Sequence, residues 1–183
     1  MQSKVILYIA QSIDGYIAAL DGSVDFLSCV EDDGEDYGYF EFYRSMDAVI
    51  MGANTYEQIL SFGEFPYPDK PCYVFTNRTY KEHDQVVFVS EEPTKWIKNC
   101  TILSNQRLWL VGGASLIKTF QDAELIDEYI ISIIPCMLGD GIPLFKTHGY
   151  PLNLKMKNVQ DYPSGLVQLV YERITDSPSE SDT

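Results

Sequence analysis

The chain is poor in positive charge, in histidine and in long apolar runs. It carries 13 Lys and Arg against 27 Asp and Glu, a formal net charge of −14. Nucleic-acid affinity comes largely from cations that neutralise phosphates, so nucleic acid and anionic membrane surfaces are disfavoured as partners. No uninterrupted apolar run approaches the roughly 20 residues that span a bilayer. Met1 to Asp14 runs straight into a strand-like pattern instead of a cleavable leader. The expectation is a soluble, cytoplasmic protein. Cys29, Cys72, Cys100 and Cys136 form no CxxC pair and have no nearby His to complete a zinc spacing, and they read as reduced thiols packed like small hydrophobes. His83 and His148 are each isolated and read as loop or surface residues. They leave no metal-ligand set and no Ser-His-Asp arrangement. Neither GxGxxG nor GxxxxGK[ST] occurs, so the two commonest phosphate-binding folds lack their central element.

Apolar and aromatic residues, by contrast, are plentiful. The 183 residues are 45% hydrophobic and 13% aromatic, enough to bury one core and too much for a disordered chain. We read a single domain over 1–175 without internal repeats, followed by an acidic tail at 176–183 (SPSESDT after Asp176) that is expected to be disordered. Lys4 to Ala10 is a near-continuous β-branched run, the pattern of a strand buried on both faces. Gln11 to Leu20 reads as a loop. Tyr39, Phe42, Tyr43 and Met46 fall on one helical face, which predicts a helix over Asp36 to Met46. Ala48 to Met51, Cys72 to Thr76, Val86 to Val89, Leu108 to Val111 and Leu125 to Ile134 are further strands. Helices are predicted at Thr55 to Leu60, Pro93 to Asn99 and after Gly113. Leu152 to Gln160 and Leu166 to Ile174 alternate around a Tyr-Pro-Ser-Gly turn and predict an antiparallel hairpin. The fold class is α/β: a mixed, mostly parallel central sheet with helices on both faces and a C-terminal hairpin.

Glycines stand where strands end. Gly52 follows Ala-Val-Ile-Met, and Gly112-Gly113 follows Trp-Leu-Val, each leading into a helix. Such a junction admits close approach of a ligand, and the helix start attracts anions, although packing alone also explains it. Arg78, after Thr76 at the end of a strand, either holds a phosphate or is an exposed loop arginine. Asp14 either contacts a ligand or closes a turn. Asp36, spaced three and four residues from Tyr39 and Phe40, is either a proton donor on an aromatic face or an acid at a helix start.

Taken in order, these residues resemble the dihydrofolate reductase-like superfamily. The resemblance is closest to bacterial small proteins similar to the C-terminal reductase domain of the bifunctional riboflavin-biosynthesis deaminase/reductase. It is carried by Ser12-Ile13-Asp14-Gly15-Tyr16-Ile17-Ala18, by Asp47 to Gly52 with Thr55-Tyr56-Glu57, and by Val74-Phe75-Thr76 with Arg78. Val111 to Leu116, Ile126-Asp127-Glu128, Pro135, Leu138-Gly139-Asp140-Gly141 and Pro143-Leu144-Phe145 continue it. The resemblance implies an NADPH-dependent reductase acting on a pteridine or a ribosylaminopyrimidine of riboflavin biosynthesis. It assigns Gly52 and Thr55 to the cofactor diphosphate from one helix, and Gly112, Gly113, Ala114 and Ser115 from another. Thr76 and Arg78 would lie along the adenosine ribose phosphate, and Ala10, Ser12 and Asp14 near the nicotinamide. The substrate would sit by Asp14, Asp36 and Phe40, with Asp36 as the catalytic acid. A homodimer is implied, for which Tyr129 to Ile134 would suit a shared edge, a stretch that also reads as an interior strand. No metal is implied. Ala53 stands where the family often has arginine, which leaves NADPH against NADH open. The alternative function is a non-catalytic nucleotide- or small-ligand-binding protein on the same fold.

Overall fold

The computed structural model describes residues 3–99, 105–147 and 149–174; Cys100, His148 and the tail 176–183 lie outside them. Eight strands form one sheet. The first apolar run becomes β1 (Lys4–Ser12), and the later ones become β3 (Ala48–Gly52), β4 (Cys72–Phe75), β5 (Val86–Val89), β6 (Arg107–Gly112) and β7 (Glu128–Ile134). The expected hairpin is β9 (Leu154–Asp161) and β10 (Val167–Arg173), paired antiparallel. The order across the sheet is β5-β4-β3-β6-β1-β7-β10-β9. It is parallel from β5 to β7, and β10 joins β7 antiparallel. This is the mixed, mostly parallel sheet that the patterning predicts.

Both faces of that sheet are covered, which is why its strands read as continuous apolar runs. Successive residues alternate between two cores. Val5, Leu7, Ala48, Ile50, Leu108 and Leu110 pack on one side against Trp96 of α3 (Pro93–Asn99) and against Ile117 and Phe120 of α4 (Ala114–Asp122). On the other side Ile6, Val49, Met51 and Trp109 meet Phe42 of α1 (Tyr39–Ser45) and Tyr56 and Ile59 of α2 (Ala53–Ser61). Aromatic rings concentrate on this second face, where Tyr8 stacks on Phe42 with centroids 4.2 Å apart.

Three local expectations change. The Gln11 to Leu20 loop contains β2 (Tyr16–Ala18), which pairs with β8 (Ile142–Pro143) in a small second sheet. A tight turn folds it back: the Tyr16 amide donates to Ser12 Oγ at 3.0 Å, and the Gly15 amide to the Ser12 carbonyl. A 3-10 segment at Asp25–Asp33 carries no periodicity that marks it in advance. The helix predicted from Asp36 begins only at Tyr39, because Gly38 takes the left-handed conformation at φ 77°. Asp36 therefore precedes the helix and shares no face with it. β7 is paired on both sides, by β1 and β10, so it is the interior strand and offers no edge to a second copy. Among the described residues no helix is long and apolar enough to cross a membrane.

Candidate functional site

Chain crossovers leave β3 and β6 in opposite directions. From β3 the chain passes through α2 to β4 on one side, and from β6 through α4 to β7 on the other. A crevice opens at the carboxyl ends of two such strands. The two glycine junctions are therefore neighbours: Met51 pairs with Gly112, and a Cβ on Gly52 would lie 3.7 Å from the Gly113 nitrogen. Gly112 has φ 143°, a conformation that favours glycine. Gly113, at φ −83°, lies outside the left-handed region, but an added Cβ would stand 3.2 Å from Thr55 Oγ1.

Helices α2 and α4 start at this crevice, capped by Gly52 and Gly113, with no side-chain cap and no acidic residue in the first turn. The first N–H groups of a helix have no intrahelical acceptor, so both ends present donors and positive potential to one space. That space is a cavity of about 970 Å³ lined by Ala10, Gly52, Thr55, Gly112, Gly113, Ala114 and Ser115. Its far wall is the small β2–β8 sheet, with Ala18, Gly141 and Ile142. Gln58 donates to the Gly22 carbonyl at 2.6 Å and pins the loop after β2 against α2. A cation missed by sequence reasoning also lines it. Lys146 Nζ donates to Ser115 Oγ at 2.7 Å, at the start of α4.

A second cavity, of about 630 Å³, adjoins the first, and Ala10 and Leu27 line both. Tyr8, Tyr39 and Phe40 supply aromatic walls, Ser132 part of the floor, and Asp36 part of the rim. The Asp36 carboxylate accepts the Gly38 amide at 3.1 Å and the Phe40 amide at 3.0 Å, which locks the entry to α1. Burial pushes the Tyr8 phenol up to about 12, so it stays protonated at neutral pH.

The other candidates lie outside both cavities. Arg78 Nη1 pairs with Glu57 Oε1 at 2.8 Å, and the Tyr80 hydroxyl donates to the same oxygen at 2.5 Å. Both partners of this ion pair are exposed, so it holds the arginine only weakly. Thr76 Oγ1 accepts the Arg78 amide at 2.9 Å. Asp14 Oδ1 accepts Ser12 Oγ at 2.5 Å and the Leu138 amide at 3.1 Å, and Oδ2 accepts the Gly139 amide at 2.7 Å. Ser12 and Asp14 thus tie the turn after β1 to the segment before β8.

These donors, the Ser12 hydroxyl first, lower the Asp14 pKa. A carboxylate whose folded pKa is depressed adds stability above its unfolded pKa and loses it as pH falls through the folded value. Asp14→Asn is therefore expected to lower the urea midpoint at neutral pH, with the gap to wild type shrinking below about pH 4. Urea titrations at several pH values check this; a gap independent of pH would show that the charge is irrelevant.

Comparisons with known proteins agree with this architecture. Residues 3–168 match the model of the RibD C-terminal domain. The "Uncharacterized protein YwjB" of Bacillus subtilis (strain 168) is 41% identical over 175 residues, covering 94% of this chain and 99% of that one. The crystal structure of a protein from Shewanella sp. PV-4, assigned to riboflavin biosynthesis, superposes with a TM-score of 0.86 at 30% identity, covering 94% of this chain and 99% of that one. The dihydrofolate reductase of Enterococcus faecalis, complexed with NADP(H), shares the fold at 14% identity, with a TM-score of 0.64 over 93% of this chain and 96% of that one. The fold is dihydrofolate reductase-like, and the chain belongs to the RibD C-terminal domain family.

Proposed function

We propose that the protein is a cytoplasmic reductase that transfers hydride from NADPH to a planar pteridine or ribosylaminopyrimidine ring. The observation that carries this reading is the meeting of two cavities at Ala10, one flanked by two glycine-capped helix starts and the other walled by aromatic rings. The first suits a dinucleotide diphosphate, because backbone N–H groups, the missing Cβ atoms and Lys146 all favour an extended anion there. Gly52, Thr55, Gly112, Gly113, Ala114 and Ser115 would hold that diphosphate, and Ala10 would face the ring end. The bound cofactor supplies the hydride, while the protein supplies binding, orientation and exclusion of water. Asp36 would hold the substrate ring or a water that delivers the proton.

At the adenosine end Arg78 would exchange Glu57 for a ribose phosphate, a change made cheap by the exposure of the pair. Ser12 and Asp14 would act behind the nicotinamide end by fixing the turn after β1. A homodimer belongs to the same reading. It would use a surface other than β7; β9 is an outer strand with Met156 and Val159 exposed.

Titration of tryptophan fluorescence with NADPH, followed by NADPH oxidation with a panel of dihydropterins and ribosylaminopyrimidines, tests the proposal. Saturable binding with turnover of one ring class is expected, and absence of binding at submillimolar cofactor would sink it. Lys146→Ala should weaken NADPH about tenfold, on the order of 1.4 kcal/mol, with the effect shrinking as salt rises. Lys146→Arg should restore most of the loss.

A second reading, binding without turnover, is favoured by the engagement of Asp36 with the Gly38 and Phe40 amides. Binding of NADPH with no oxidation across the whole panel would select it.

A further inference from the structure

Two cysteines far apart in the chain stand side by side in the fold. Cys29 is exposed in the 3-10 segment Asp25–Asp33, and Cys136 is half-buried just after β7. A hydrogen bond joins their thiol groups. Cys136 packs on the small core that Phe26 and Val30 of the 3-10 segment form with Ile134 and Leu166. Residues three apart share one row of a 3-10 helix, so buried Phe26 anchors the row that carries Cys29. The other member of the pair is fixed as well. The Ile13 amide donates to the Cys136 carbonyl at 2.9 Å, and Asp14 accepts the Leu138 and Gly139 amides that follow. Cys72 differs: it is fully buried within β4, and burial pushes its thiol up to about 12.

We propose that Cys29 and Cys136 are a modification site that closes reversibly to a disulfide, with a hydroperoxide as the oxidant. The exposed Cys29 sulfur meets the peroxide first: the O–O bond breaks, Cys29 becomes a sulfenic acid and one water leaves. Attack by the Cys136 sulfur then forms the S–S bond and breaks the S–O bond, and the hydroxyl leaves as a second water with the Cys136 proton. The two thiols lose two electrons in all, and one hydrogen peroxide is reduced to two waters. Burial first, and the neighbouring Cys29 next, raise the Cys136 pKa, which keeps this thiol protonated and leaves the first step to Cys29. The bond ties the 3-10 segment to the end of β7. Phe26 and Leu27 of that segment line the larger cavity, and Leu27 and Val30 the smaller, so oxidation fixes a wall common to both. The inference goes beyond the reductase reading and does not depend on it, because the bond is read without cofactor.

The test uses the full chain carrying Cys100→Ser, in which Cys29, Cys72 and Cys136 are the remaining thiols. The reduced protein is treated with hydrogen peroxide, its thiols are counted in denaturant, and its unreduced peptides are mapped by mass spectrometry. Loss of two thiols per chain, a link between the peptides holding Cys29 and Cys136, and return of both thiols with dithiothreitol are expected. Tm of the oxidised chain should rise by roughly 5 °C or more, since the bond closes a loop of roughly 100 residues in the unfolded chain. Hydrogen exchange of the amides at 25–33 should slow at least about threefold. Cys29→Ser, at an exposed position, should remove the link and the gain in Tm together, and in Cys136→Ser dimedone should trap Cys29 as its sulfenic acid. Sulfinic acid on Cys29 with Cys136 still free, a link between Cys29 of two copies, or no loss of thiol at millimolar peroxide would each overturn the proposal. Unchanged exchange at 25–33 in the linked protein would overturn its effect on the cavity wall.

Discussion

Replacing Gly113 by valine is expected to weaken NADPH binding by about a hundredfold, on the order of 2.7 kcal/mol, while leaving the fold intact. The backbone at Gly113, φ −83° and ψ −174°, is extended, so valine there needs no left-handed φ. What it brings is volume at the point where the two helix starts converge. Its Cβ would lie 3.2 Å from Thr55 Oγ1, displacing that side chain, and its methyl groups would reach into the space proposed for the diphosphate. A charged ligand held by backbone N–H groups depends on close approach, and a shift of a few tenths of an ångström separates donor from acceptor. Fluorescence titration reads the affinity and thermal unfolding reads the fold. An unchanged affinity would move the diphosphate away from this junction. Gly112→Ala is a poorer probe, because φ 143° adds backbone strain to any effect on binding.

Gly141→Ala should destabilise the protein by about 2–3 kcal/mol, through overpacking, and lower Tm by roughly 4–12 °C for a domain of this size. A Cβ on Gly141 would stand 2.3 Å from the Ala18 carbonyl oxygen and 3.3 Å from the Tyr16 side chain. The nearest obstacle is backbone, so β2 and β8 must part to admit it. That small sheet is the wall of the larger cavity facing the helix starts, so cofactor affinity should fall together with stability. Gly139 provides the control. Its φ of 77° makes alanine strained, yet nothing lies within 4 Å of the added carbon. Gly139→Ala should therefore cost only the conformational penalty of about 1–2 kcal/mol and leave the cavity wall in place. If both variants unfolded alike in urea, the carbonyl clash would not be the cause.

Much of the fold is legible in the chain. Alternating strands and helices follow from Lys4 to Ala10, Ala48 to Met51 and Leu108 to Val111, whose unbroken apolar character demands cover on both faces. The glycine junctions were legible as possible ligand contacts, and so was the aromatic face of α1. The start of α1 was not, because Gly38 breaks the helical period that includes Asp36. β2 is three residues long and is held by turn hydrogen bonds and by β8, which stands far along the sequence. Its local pattern is that of a loop.

Lys146 illustrates the same limit at the site. It follows Phe145 in an irregular segment, and its partner Ser115 stands 31 positions earlier. The one signal was scarcity, since in a chain of net charge −14 any cation near the Pro143-Leu144-Phe145 motif is a candidate. Arg78 was conspicuous for the same scarcity, yet the fold brings Glu57 and Tyr80 against it. Asp14 was open between ligand and turn, and the structure shows it bonded to amides 124 and 125 positions away.

By itself the sequence determined the periodicity, the number of layers, the strand-end glycines and the shortage of cations, because these depend on residue type and near neighbours. Only the tertiary structure decided that the two glycine junctions are adjacent, that Lys146 rather than Arg78 lines the larger cavity, and that the Cys29 and Cys136 thiols meet. Those outcomes depend on which distant segments the sheet order brings within hydrogen-bond range. Charge and hydrogen bonding act over a few ångströms, and no spacing along the chain encodes that distance.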